Sequence, residues 1–311
     1  VIAGIHAVGI ACPLGVGADA VGAAWAAGTH RDSDSIGRIK LRRSYPRHGA
    51  LVRRLDRVGK LVAAAASAME APPPGPVSLG LGTDLGCAET SYEFLGRLGT
   101  DGPRAVQPFD FPNLVPNAAA GHLGLLRGWT GPSLTFTGHE GGAHGALEWG
   151  LDEVAAGRTA VVGAVEDCGE VRRRLQARGL EGRHPAEGAA LLVLGEPRRG
   201  EPALLAAWSA FDPHRRSAFV GGADPDILAD LLERVQADAG VVCRQVFPSE
   251  ALVGAFAGMA EHDIGPRTGR WGGDAALRAA LAVLRLSDGP SLIVTASRGG
   301  GVHGAVVGRA P

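Results

Sequence analysis

One run of this chain, TFTGHEGGAHGAL at 135–147, combines residue types that do chemistry: His139, Glu140 and His144. Two histidines four residues apart around a glutamate bind zinc on one helix face. Here the step is five residues, and at about 100° per residue the rings end about 140° out of register. Gly141 and Gly142 inside the segment also favour a strained helix start over a ligand platform, so no metal site is expected. A buried carboxylate has a second use: with a raised pKa, Glu140 would act as an acid or base beside His139 or His303. The alternative is a plug whose charge is met by helix N-terminal amides or an arginine. The plug is the stronger reading, because acyl activation also needs a nucleophile and an oxyanion site.

Other candidates are less specific. Cys12, Cys87, Cys168 and Cys243 lie far apart with no CxxC pair and are expected to be buried free thiols. The glycine runs at 80–86 and 299–301 have neither the GK[ST] ending nor the GxGxxG order of a phosphate loop, and read as close backbone packing. The stretch 29–57 sets many arginines and Lys40 against Asp32, Asp34 and Asp56. It reads as a solvated, mobile face, or more sharply as a docking patch for an acidic protein, and Arg172–Arg174 read the same way.

The elements that must position these residues follow from length and pattern. With 311 residues, 45% hydrophobic and 20% charged, the chain can bury one large core or two merged halves. Thirty-one basic against 32 acidic side chains give no global pull toward nucleic acid or an anionic membrane. No apolar run is long enough to span a bilayer and no secretory layout opens the chain, so a cytoplasmic protein is expected. Short β-branched runs at 1–10, 77–83, 133–137, 160–166, 189–195, 203–211, 241–247, 291–297 and 302–309 predict strands. Amphipathic spacing predicts helices at 54–69, 142–157, 226–238 and 274–286, and APPPGP at 71–76 is a stiff connector. The result is α/β layering in two halves, 1–197 and 198–311, forming one unit.

With these elements in place, several motifs fall into a recognisable order. The run at 103–137 contains Phe111, Pro112, Asn113, Pro116, Asn117, Gly121, His122, Gly131 and Pro132. This FPN…PN…AGH…GL.GP pattern resembles the segment before the nucleophile in β-ketoacyl synthases. The resemblance extends to Gly4–Gly15, to Arg54–Arg57, to Gly82–Thr90, to VVGAVED, to Glu187–Gly188 with the strand they open, to the 274–286 helix, and to the glycine-rich end with His303. It implies a thiolase-like five-layered αβαβα fold of two similar halves, usually dimeric, with the active site near the dimer interface.

The resemblance also shows what is missing. The family's nucleophile is a cysteine on a strand-to-helix turn, where Glu140 stands here; a carboxylate cannot carry a thioester. The first family histidine has no counterpart in VVCRQVFPSEAL, and Arg270 occupies the place of the second. Loss of the chemistry with retention of the fold resembles the chain length factor of type II polyketide synthases. That implies a catalytically inactive, cofactor-free subunit that pairs with an active ketosynthase and shapes its acyl tunnel. It would work with an acyl carrier protein bearing the phosphopantetheine-bound chain, and with neither nucleic acid nor membrane. The tunnel and interface residues implied are Phe109, Phe111, Pro112, Leu114 and Val115, with His139 and Glu140. The alternative is an atypical enzyme, a malonyl decarboxylase or acyltransferase, using Glu140.

Overall fold

A computed structural model of the chain describes residues 1–138, 141–178, 185–211, 229–230, 233–234, 237–249, 252–253, 256, 259–268, 274–296 and 301–311. In chain order the first part comprises β1 (Ala3–Cys12), β2 (Gly15–Val16), α1 (Ala18–Ala26), α2 (Gly49–Arg54), α3 (Arg57–Ser67), β3 (Ser78–Thr83), α4 (Ala88–Asp101), α5 (Ala118–Arg127), β4 (Ser133–Thr137), α6 (Gly142–Ala155), β5 (Ala160–Glu166), α7 (Glu170–Ala177) and β6 (Gly188–Gly195). The second part comprises β7 (Pro202–Phe211), β8 (Gln245–Pro248), β9 (Ala260–Glu261), α8 (Asp274–Leu284), β10 (Ser291–Ala296) and β11 (Gly301–Arg309). No helix among the described residues is long and apolar enough to cross a membrane.

Apart from β2, which pairs with β1, the strands run β4-β3-β5-β6-β1-β7-β11-β10-β8-β9 across the sheet. The order contains a repeat. Numbered within its own half, the first array reads third, second, fourth, fifth, first, and the second reads the same sequence backwards. The pairing senses repeat as well: β3 is parallel to β4 and β5, and β8 to β9 and β10, whereas the fifth strand of each half, β6 or β11, is antiparallel to both neighbours. The halves meet where Ala3 and Gly4 of β1 pair with Leu204 and Ala203 of β7.

Side-chain alternation sets the layers. On β6, Ala190, Leu192 and Leu194 face a central core with α6 and α8, while Ala189, Leu191 and Val193 face an outer core with α3 and α5. In the second half, Ile293 joins the central core, and Leu292 and Val294 join a third cluster with Val246 and Val302. Helices α6 and α8 thus lie between the two arrays, as expected of a five-layered arrangement. Burial on both faces is why these strands read as continuous apolar runs.

Local differences from the sequence reading have local causes. The helix expected at 54–69 starts later, as α3: α2 ends at Arg54, Leu55 is extended, and Asp56 caps α3 by accepting from Gly59 N at 2.8 Å. The strand expected from 241 begins at Gln245. Helices α1, α4, α5 and α7 were not expected, since glycines and polar residues interrupt their apolar stripes. Much of the helix expected at 226–238 lies outside the described residues.

Candidate functional site

The turn from β4 into α6 is where the sequence places its candidate chemistry. Its seat is made by glycine: a Cβ added to Gly82 on β3 would lie 2.4 Å from Ala143 N, and one on Gly142 would lie 2.7 Å from Phe136 O. Only bare backbone lets α6 start this close to the sheet. His139, Glu140 and Arg270 lie outside the described residues.

His303, on β11, reaches this turn. A Cβ on Gly141 would lie 2.6 Å from His303 Nε2. On its other side His303 Nδ1 is 2.8 Å from Ser209 Oγ, and the Ser209 hydroxyl donates to Glu148 on α6. His303 Nδ1, the Ser209 hydroxyl and Glu148 thus form one hydrogen-bonded chain, and Nε2 lies on the side of the ring toward the turn. Burial pushes His303 down to about 4, so its ring is neutral at pH 7.

His144, the third residue of α6, stacks on His303 with ring centroids 5.5 Å apart. It is fully buried, and its Nε2 lies 3.0 Å from Thr295 Oγ1. Burial above all, and then the proximity of His303 and Arg278, hold it well below the usual imidazole range. Arg278, buried on α8, donates to Asp274 at 2.6 Å, to Thr295 Oγ1 at 2.7 Å, and to the carbonyls of Val294 at 2.7 Å and Phe247 at 3.1 Å. Two neutral imidazoles and a satisfied ion pair are an ordered polar seam between the halves.

A second polar cluster closes β5. Glu166 is fully buried and accepts from Asp84 N at 2.6 Å, Leu85 N at 3.1 Å and Gly86 N at 3.2 Å, and from the Thr83 hydroxyl, with Arg172 at 3.6 Å. Burial pushes Glu166 up to about 7, against the pull of Arg172. Asp167 rises to about 8 through burial and the adjacent Glu166 charge. The backbone donors solvate an ionised Glu166, so the proton shared by the pair at neutral pH resides on Asp167. Arg172 is therefore a buried anchor, correcting its reading as part of a solvated or docking surface; only Arg173 and Arg174 of that triplet are exposed.

The remaining motif residues divide between architecture and surface. Asn113 is buried and its amide donates to Arg54 O at 2.9 Å; Arg57 donates to Glu187 at 2.7 Å, tying two of the motifs together. Phe109, Phe111 and Val115 are 57%, 60% and 47% exposed, Pro112 is exposed and Leu114 half-buried. Phe111 meets Phe94 edge to face at 5.4 Å, and the Arg54 guanidinium lies 5.2 Å from the Phe109 ring centroid. Cys12, Cys168 and Cys243 are buried, each pushed up to about 11, but Cys87 is half-exposed at the start of α4, contrary to expectation. The sequence reading passed over Ser209, Glu148 and Thr295; the signal available for Glu166–Asp167 was a carboxylate pair closing an apolar strand.

Beside this turn β4 is an open sheet edge. Among the described residues it pairs only with β3, and Ser133, Leu134 and Thr137 are exposed.

No protein-family model and no curated protein matches the chain. Solved structures do. It resembles the ishigamide ketosynthase/chain length factor, with a TM-score of 0.79 at 17% identity over 99% of both chains. It also resembles a β-ketoacyl synthase from Burkholderia phymatum STM815, with a TM-score of 0.78 at 14% identity over 99% of both. A ketosynthase in complex with its chain length factor from Xenorhabdus doucetiae gives 0.78 at 14% over 99% of this chain and 98% of that one. The chain has the thiolase-like fold of the ketosynthases along its whole length.

Proposed function

We propose that this chain is a non-condensing subunit of the chain-length-factor type, pairing with an active β-ketoacyl synthase and shaping the tunnel in which the polyketide grows. The observation that supports this is the uncharged edge of β4, which among the described residues pairs with β3 alone; the resemblance read from the sequence sets Glu140, a few residues further on, where the family has its nucleophile. An exposed strand of this kind demands a partner strand. Pairing there would place the partner beside α6. Phe109, Phe111, Pro112, Leu114 and Val115 then form the partner-facing and tunnel-facing surface, and the exposure of Phe109, Phe111, Pro112 and Val115 supports this, since core residues would be covered already. The assembled pair would act on chains carried by the phosphopantetheine arm of an acyl carrier protein, in the cytoplasm.

The test is coexpression with a ketosynthase that has its cysteine and both histidines, followed by size-exclusion chromatography with mass analysis and an assay with malonylated carrier protein. The expected result is a 1:1 complex whose turnover survives Glu140→Ala. Phe109→Ala or Phe111→Ala should lengthen the products at nearly unchanged turnover; unchanged lengths would remove the gating role.

One observation favours a second reading. His303 sets its ring against the Gly141 turn, next in sequence to Glu140, the residue a decarboxylase or acyltransferase would use. A homodimer that turns over malonyl groups alone, and stops on Glu140→Ala, would establish that reading.

A further inference from the structure

Five carboxylates are buried among the described residues, and four of them have hydrogen-bond donors. Glu153 has Ser78 and Arg158, Glu166 has three backbone amides, Glu187 has Arg57 and the Ile36 amide, and Asp274 has Arg278. Asp167 is 5% exposed and has no donor among the described residues. A buried acid without donors is disfavoured as an anion, which is why burial and the neighbouring Glu166 push Asp167 up to about 8.

Asp167 lines a cleft of 580 Å³ walled by α2, the start of α3, α4 and the turn Pro108–Asn113. A second buried group lines the same cleft: Asn113 is 5% exposed, its amide donates to Arg54 O, and its Oδ1 has no partner. Five carboxylates and five cations surround this space, so their depth, not their sum, decides what fits. Arg57 is engaged by Glu187 and Arg97 by Asp110. Asp56 accepts from Gly59 N and the Thr90 hydroxyl, and Glu89 from the amides of Glu170 and Val171 at the start of α7. That leaves Asp167 and Asn113 Oδ1 at depth, half-buried Lys60, and Arg53, Arg54 and Glu93 at the exposed rim. The floor lacks donors, and the rim is net positive.

We propose that this cleft binds a small amino acid, with its ammonium on Asp167 and Asn113 Oδ1 and its carboxylate at Arg53 and Arg54. An ammonium has three protons to donate and no acceptor, so it satisfies both buried oxygens and lets Asp167 ionise in a charge-assisted pair. The ligand's carboxylate then meets guanidinium groups, whose planar fork suits it. The charged groups acting on Asp167 from the elements around it are Glu166 beside it, Arg172 of α7, Glu89 of α4 and Asp56 before α3. Three of these four are acidic, which favours a cation at the floor. Binding at neutral pH displaces the Asp167 proton, and the site needs neither a ketosynthase nor the subunit role proposed above.

The purified chain is titrated calorimetrically with glycine, 4-aminobutanoate and 6-aminohexanoate, and with butylamine and butanoate as single-ended probes. At least one amino acid should bind at millimolar affinity or better, and about tenfold or more tighter than either single-ended probe. Compared in two buffers of different ionisation enthalpy, binding should release close to one proton at pH 7, with the release falling as pH rises past 8. Asp167→Asn should weaken binding by about tenfold or more and abolish the release. Arg53→Gln alters only an exposed side chain, which keeps the test decisive if the buried variant folds poorly; it should weaken the amino acid by roughly threefold or more and leave butylamine unchanged. Failure of all three amino acids to bind at millimolar concentration overturns the proposal. So does affinity or proton release that persists in Asp167→Asn, or butylamine that binds as tightly as the amino acids.

Discussion

At one end of the sheet β4 runs five residues, Ser133–Thr137, without a charged side chain and with Leu134 exposed; at the other, β9 is only two residues, Ala260–Glu261, followed by His262 and Asp263. The two occupy equivalent places in the repeated strand order. Short length and adjacent charge are how proteins keep an edge from pairing, and the β9 edge has both. The β4 strand is longer and carries no charge within it. A duplicated fold has thus kept one edge closed and left the other suited to association.

The helices between the arrays differ in parallel. On α6, contact with β3 is made through glycines; on α8, the equivalent helix, Arg278 reaches Phe247 O of β8 through a guanidinium. The largest expected effect follows from this. Arg278→Ala would leave Asp274 buried and uncompensated, lowering stability by about 3–5 kcal/mol in urea unfolding. A loss below about 1 kcal/mol would mean that the second half does not depend on its ion pair.

Next in size is the edge itself. Leu134→Lys should weaken pairing with a ketosynthase by about a hundredfold, near 3 kcal/mol, while Ala260→Lys on β9 leaves it unchanged. Analytical ultracentrifugation of both variants decides the matter, and equal effects would abolish the distinction between the edges. Gly82→Ala sharpens the helix comparison: its Cβ must displace the start of α6, at about 1–3 kcal/mol. Wild-type stability in that variant would show the glycine contact to be slack.

What the sequence makes legible here is periodicity and order. β5, β6 and β10 are buried on both faces and their apolar runs are unmistakable; α5 is hidden because AAAGHLGLLR puts a histidine in its buried face and interrupts the helix with two glycines. The motif residues prove largely architectural: Asn113 holds Arg54, Glu187 holds Arg57, and Gly82 seats α6. Arg172 was misread because its carboxylate partners, Asp84 and Glu166, come from other strand ends, and local composition carries no trace of such pairing. The His303–Ser209–Glu148 relay spans three elements and was illegible for the same reason.

The smallest effect contrasts the polar clusters near the ends of the two fourth strands, β5 and β10. Asp167 has a folded value near 8, far above the ordinary carboxylate, so the native state holds an extra proton. Its contribution is complete at low pH and is lost as pH rises toward 8. His303, at about 4, works the other way: its contribution is complete above the ordinary imidazole value of about 6.5 and is lost as pH falls through 4. Below about 6.5 the two oppose each other, and above it the carboxyl acts alone. Stability should therefore decline between about pH 6.5 and 8 with a slope of at most about 1.4 kcal/mol per pH unit for one proton. Asp167→Asn should flatten that decline, and His303→Gln should leave it intact while removing the opposing contribution below about pH 6.5, so that the decline extends to the acid side. Urea midpoints taken across this range report both slopes, and a decline that persists in Asp167→Asn would assign the shared proton to Glu166 instead.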